Sequence, residues 1–208
     1  MNRDLTPTRS AALDLRDERC AMQEGYTFLD EKCLVLAAEM LAEIDRYTEA
    51  ARGFRAAGTA AAVALAAAVS RHGFDAVEVL PPGPAEAGTL SVARRSLMGV
   101  PLADAGWRPA AAVGGAVGDG AAATAEPGSS PEAAAAAAAF AALVARGAVL
   151  GALAGNLERL SREYRRTVRR ARALSEVLLP ELDRTIADIE TRLEELEQED
   201  AILLRSTR

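Results

Sequence analysis

The chain has 208 residues, a formal net charge of −6 and only 4% aromatic residues. Much of its 50% hydrophobic fraction is alanine, which favours helix but buries little area. The composition therefore indicates long, closely packed helices rather than a thick core. The negative charge argues against general binding to nucleic acid or anionic lipid. Lys32 is the only lysine among 24 basic residues, and the excess of arginine and alanine is typical of a GC-rich bacterial genome.

Residues 8–71 are predicted to form an N-terminal helix, which Thr6 or Thr8 can cap. Its apolar residues follow steps of seven, or of four and three, which is the spacing of a coiled coil. The predicted seam contains Leu15, Met22, Leu29, Cys33, Leu36, Met40, Ile44, Tyr47, Ala51 and Phe54. Cys20 and Cys33 lie too far apart on one helix for a disulfide, so we expect free thiols.

Residues 72–131 differ in composition and are predicted to form a central insert. Seven of the nine prolines lie here, with most of the glycines. Two short pieces, Ala76–Leu80 and Thr89–Val92, have strand-like composition, which leaves room for one short β-hairpin. Val113–Ser130 is predicted to be a loop or disordered.

Residues 132–205 are predicted to form a C-terminal helix, with Ser130 as its cap and Pro131 in its first turn. The four-three spacing returns near its end, and the seam there contains Leu182, Ile186, Ile189, Leu193, Leu196 and Leu203. Pro180 is expected to kink this helix. Because a single long helix cannot bury its own apolar stripe, we predict an all-α-dominated fold in which the two arms pair as an antiparallel coiled coil, with the insert between them.

Several kinds of catalytic site are missing from the sequence. There is no phosphate-binding GxxxxGK[ST] loop, and the usual zinc sites cannot be built from one histidine, His72, and two distant cysteines. The acidic run Glu194–Asp200 lacks metal-loop spacing and is interpreted as a solvated helix face. We therefore assign no catalytic, cofactor-binding or metal-binding residue and expect no cofactor.

Direct membrane insertion is not expected. Met1–Thr8 lacks the basic start and apolar stretch of a signal peptide. The apolar run Gly58–Val69 is too short to span a bilayer, and Ala133–Gly155 consists largely of alanine and glycine and is interrupted by Arg146. Both are interpreted as closely packing helix.

The last helix divides by charge. Residues 159–172 contain seven arginines and a single acid, Glu163, whereas residues 181–200 contain nine acids and two arginines. One interpretation is a pair of solvated faces. The other is a basic collar that meets acidic partners, for which the planar guanidinium is suited.

Four stretches resemble the D subunit of V/A-type ATPases. Thr167–Pro180 (TVRRARALSEVLLP) is similar to the C-terminal signature of that family, and Ile186–Asp200 continues it. Thr6–Arg9 is similar to the opening Pro-Thr-Arg of the family and is followed at the expected distance by Gly25, Leu29 and Lys32. Ser96–Pro101 resembles its Met-Gly-Val segment.

This resemblance implies a central rotor shaft, in which an antiparallel coiled coil transmits torque and catalyses nothing itself. The implied partners are the F subunit, the catalytic A and B subunits of the hexamer, and the socket subunit (C or d) above the membrane ring. The implied location is cytoplasmic, peripheral to the membrane. The residues assigned to contacts with the hexamer are Arg9, Arg165, Arg166, Arg169, Arg170, Glu199 and Asp200.

A free-standing coiled-coil scaffold is the alternative, because a seam alone does not distinguish a rotor from an adaptor. An enzyme with an unusual site is disfavoured by the missing nucleophile–base and metal constellations.

Overall fold

The computed structural model describes residues 8–74, 88–109 and 130–206. In chain order the elements are α1 (Arg9–His72), β1 (Gly88–Leu97), β2 (Val100–Pro109), α2 (Pro131–Ala173), a π-helical turn (Leu174–Leu178) and α3 (Leu179–Ser206). The predicted fold class is confirmed, since two long helical arms pack together and a small antiparallel hairpin lies between them in the chain. The predicted strand-like piece 76–80 and nearly all of the predicted loop, residues 113–129, lie outside the described residues.

Side chains cap both long helices where they begin. The Thr8 hydroxyl accepts a hydrogen bond from the Ala11 amide at 3.2 Å, and the Ser130 hydroxyl accepts one from the Ala133 amide at 3.1 Å. The end of α1 uses Gly73, whose φ of +78° is the left-handed conformation that closes many helices. The Gly73 amide donates to the Val69 carbonyl at 2.8 Å.

Of the described residues, 8–37 and 162–206 form one compact unit, called unit 1 below. Its core brings Ala12 and Leu15 of α1 against Ile186 and Ile189 of α3. Three ion pairs join the same two helices: Arg9–Glu197, Arg16–Glu190 and Arg19–Asp183. Because the α3 partner number falls as the α1 number rises, the helices run antiparallel. These ion pairs show that part of the acidic stretch 181–200 is matched by arginines of α1.

The spacing of buried residues in unit 1 contains one irregular step. Leu179 and Ile186 are seven residues apart, as the seam requires, but Ala171 and Leu179 are eight apart. The π-helical turn lies in this longer interval, and the Leu179 amide donates to the Leu174 carbonyl five residues back. A π-turn accommodates one additional residue in a helix. We expected a kink at Pro180, and the interruption in the structure is this turn, which ends two residues earlier.

Residues 38–161 form unit 2, where small residues let α1 and α2 approach closely. A Cβ added at Gly147 would lie 3.3 Å from the Phe54 ring, and one added at Gly58 would lie 3.9 Å from Leu143. Arg71 pairs with Glu132 at 2.6 Å. Since these partner numbers also run in opposite directions, this part of the two helices is antiparallel as well.

The hairpin of unit 2 turns over two residues, because Leu97 pairs with Val100. Both central residues have positive φ, +49° at Met98 and +84° at Gly99, as in the type I′ turn that suits twisted strands. Val100 and Leu102 of β2 are buried and provide the apolar attachment of the hairpin.

Candidate interaction surfaces

Five arginines near the end of α2 form an exposed group, called the arginine cluster below: Arg165, Arg166, Arg169, Arg170 and Arg172. Four of the five are residues that we predicted to contact a partner. Within the described part of the chain, none of them forms an ion pair, in contrast to the arginines of α1 in the same unit. The cluster therefore presents largely uncompensated positive charge to solvent.

Glu163 is the acid that adjoins the arginine cluster, and it is engaged by Lys32 of α1. The Lys32 Nζ lies 2.6 Å from Glu163 Oε1, and both side chains are mostly buried. The hydrogen bond from Lys32 is the main cause that lowers the pKa of Glu163, and the nearby charges of Arg166 and Arg170 act in the same direction. Because this acid is already paired with lysine, it neutralises the cluster less than its sequence position suggests.

Of the other predicted contact residues, Arg9 begins α1, and Glu199 and Asp200 lie near the end of α3. Arg9 forms an exposed ion pair with Glu197, and this hydrogen bond raises the pKa of Arg9. Glu199 and Asp200 are exposed on α3. The structure thus brings Arg9 to Glu197 and to neither of the two predicted acids.

The predicted seam residues differ in burial. Leu36, Ile186 and Ile189 are buried, whereas Leu196 is 46% exposed. The half-buried members are Leu29, Met40, Leu182 and Leu193. Ile44, which we also placed on the seam, is 42% exposed, and its neighbour Glu43 is fully buried.

A charged contact anchors the hairpin to α1 in unit 2. Arg95 of β1 pairs with Glu39 and, at 2.8 Å, with Glu43. Arg46 also reaches Glu43 at 3.1 Å. The hydrogen bond to Glu39 is the main cause that raises the pKa of Arg95. The negative charges of Glu39 and Glu43 act in the same direction, because they favour the charged form of the arginine. Two cations thus compensate one buried carboxylate, which would otherwise be costly to bury.

An amide anchors the same hairpin to α2. The fully buried Asn156 donates from Nδ2 to the Ala103 carbonyl at 3.0 Å and accepts from the Ala103 amide at 2.8 Å. These two bonds satisfy both backbone groups of a residue in β2, as a neighbouring strand would. Arg159 donates to the same Asn156 oxygen at 2.7 Å.

Sequence reasoning missed Glu43 and Asn156, although the seam spacing contains a signal for both. Glu43 follows Leu36 by seven residues, and Asn156 lies three after Leu153 and four before Leu160. A polar residue at an apolar position of the repeat is often a buried residue that fixes register. Its partners come from the hairpin, however, and the repeat carries no information about them.

Other sites are not evident in the described residues. No group of three or more histidine, cysteine or acidic side chains that could hold a metal ion occurs there. Cys20 and Cys33 are free thiols, and burial raises the pKa of Cys33. One stretch within Arg9–His72 and one within Pro131–Ser206 are long and apolar enough to cross a membrane. Such stretches are weak evidence of insertion, because core helices of soluble proteins share these properties.

The described residues form a predominantly helical protein with two antiparallel arms, an anchored hairpin and an exposed arginine cluster. A family model for the ATP synthase D subunit matches residues 11–208. The chain therefore belongs to the ATP synthase D-subunit family, as its resemblance to the D subunit of V/A-type ATPases predicted. It is accordingly a component of an ATP synthase or ATPase complex, in a family other than the catalytic subunits. No curated protein matches the chain.

Proposed function

We propose that this chain is the central rotor shaft of a V/A-type ATPase or ATP synthase. In this role it transmits torque between ATP turnover in the catalytic hexamer and ion translocation through the membrane ring. The observation that carries the proposal is the arginine cluster, whose positive charge has no ion-pair partner within the described residues.

The proposed partner of the cluster is an acidic surface of the A and B subunits. An arginine fork binds carboxylates in a defined geometry, and exposed ion pairs form and break without a large apolar interface to separate. Such contacts suit a surface that must engage successive subunits in turn. Arg9, Glu199 and Asp200 are proposed as further hexamer contacts.

The remaining partners follow from the family. We propose that the F subunit binds along the paired helices and that the socket subunit, C or d, holds the shaft above the membrane ring. The chain then lies on the cytoplasmic side and reaches the membrane only through other subunits. It contributes no catalytic residue, and ATP is bound and hydrolysed by the hexamer.

The test is reconstitution of the whole complex with a charge-reversed cluster, Arg169→Glu together with Arg170→Glu. We expect ATP-driven ion pumping in vesicles to fall roughly tenfold or more, because two attractive contacts become repulsive. Assembly with the A, B and F subunits should persist, since the substituted side chains are exposed. The matched control is Arg184→Glu with Arg192→Glu, two exposed arginines of the same unit outside the cluster.

Two results would contradict parts of this proposal. Normal pumping by the cluster variant, or an equal loss in the control, would remove the role of the arginine cluster. Failure of the unmodified chain to co-purify with the A, B and F subunits would remove the rotor assignment and favour a free-standing scaffold.

A further inference from the structure

We propose that the π-helical turn Leu174–Leu178 is a flexible joint in unit 1. It stays at this position because the buried positions before and after it are offset by one residue from a continuous seven-residue repeat. The inference concerns the mechanics of the chain itself and does not depend on the proposed function. Its basis is the eight-residue step between Ala171 and Leu179.

The register after the turn is fixed by side-chain polarity. Leu179, Ile186 and Ile189 are buried. Moving the additional residue toward the C-terminus would shift the seam back by one position, onto Glu181, Thr185, Asp188 and Arg192. Burial of these polar and charged groups without partners is strongly unfavourable.

The register before the turn is fixed by one charged residue. Thr167 and Ala171 are buried. Moving the additional residue toward the N-terminus would shift the seam forward by one, onto Val168, which is apolar, and onto Arg172, whose charge would then be buried. The additional residue is therefore confined to the interval between Ala171 and Leu179 and cannot migrate along the helix.

The turn itself is weakly held. None of its five residues is buried, and Val177 and Leu178 are 50% and 38% exposed. Pro180 has no amide hydrogen, so the α-helical bond that would end on the Glu176 carbonyl cannot form. Segments with few buried apolar contacts open at lower free energy than their neighbours. Bending or twisting of the α2–α3 arm is thus expected to concentrate here.

Hydrogen exchange of the full-length chain, followed by mass spectrometry, tests the proposal. In the unmodified chain, amides of Leu174–Leu179 should exchange roughly tenfold faster than those of residues 165–171 and 184–190. Deletion of Ser175 should bring both registers into phase. Amides of the turn should then exchange as slowly as those of the flanking helix, and the midpoint temperature of thermal unfolding should stay equal or rise.

Pro180→Ala tests whether fast exchange at the turn is caused by the additional residue or by the missing amide of the proline. It restores an amide donor but leaves the additional residue, so fast exchange at the turn should persist. The proposal would be overturned if, in the unmodified chain, amides of the turn exchanged as slowly as those of the flanking helix. A Pro180→Ala chain as protected as the deletion variant, or a deletion variant that fails to fold, would also overturn it.

Discussion

Among individual residues, Glu163 shows how one ion pair reduces the negative charge that is available to the neighbouring arginines. It is the one acid within a stretch of seven arginines, yet its partner is Lys32 of the opposite helix. This hydrogen bond lowers the pKa of the carboxyl below its ordinary value of 4.5. The sequence showed the isolated acid but not its partner, because the level at which two antiparallel helices meet is set by their whole interface.

The lowered pKa of Glu163 predicts a pH dependence. A carboxyl with a lower pKa in the folded state adds stability above its unfolded pKa, and this stability is lost as the pH falls through the folded value. Glu163→Gln should therefore reduce the free energy of unfolding by roughly 1–2 kcal/mol at pH 7. The difference should approach zero well below the ordinary pKa, as measured by urea unfolding across the pH range. Glu176→Gln, an exposed acid of the same unit, should show no such change, and a pH-independent loss for Glu163→Gln would contradict the assignment.

Among the elements, the hairpin is the one whose attachment was hardest to predict. Its presence could be inferred from the strand-like residues 89–92 and the change in composition of the insert. Its anchors, Glu43 and Asn156, could not be inferred, because they are far from the hairpin in sequence and look like interruptions of the apolar repeat. The Met98–Gly99 turn also departs from the Asn-Gly or Asp-Gly pairs that usually signal a two-residue hairpin.

Asn156→Ala should loosen the hairpin measurably. The substitution leaves the amide and carbonyl of Ala103 without partners, at a cost of roughly 2–3 kcal/mol. Trp107 of β2 is the only tryptophan, so its fluorescence reports unfolding of this element directly. The control is Ser91→Ala, which removes an exposed hydrogen bond to the Gly106 carbonyl within the same hairpin. A loss for Asn156→Ala no larger than that of Ser91→Ala would show that the amide anchor contributes little.

For the whole molecule, the fold class was predictable because the same apolar spacing persists over many turns of both arms. Local exceptions to this spacing were not predictable from the sequence. Leu196 continues the four-three spacing but is 46% exposed. Near this level Arg9, the first residue of α1, pairs with the neighbouring Glu197, and this contact leaves Leu196 partly exposed. A periodic sequence predicts which face is apolar but does not show how completely each position on that face is covered.

Equal substitutions at two seam positions should therefore have unequal effects. Ile189→Asp places a charge at a site that is 4% exposed and should cost roughly 3 kcal/mol or more. Leu196→Asp should cost less than about 1 kcal/mol, because its carboxylate remains hydrated. Urea unfolding followed by far-ultraviolet circular dichroism measures both. Equal losses would mean that Leu196 is covered in solution.

The contact between Lys32 and Glu163 also has a practical consequence for mapping the neighbours of this chain. Lys32 carries the only side-chain amine, and its side chain is 15% exposed and bound to a carboxylate. Reagents that cross-link amines will therefore find almost no reactive side chain on this protein, even where another protein lies against it. The many exposed carboxylates and the Cys20 thiol are the better attachment points, so carboxyl- or thiol-directed cross-linkers are the reagents of choice.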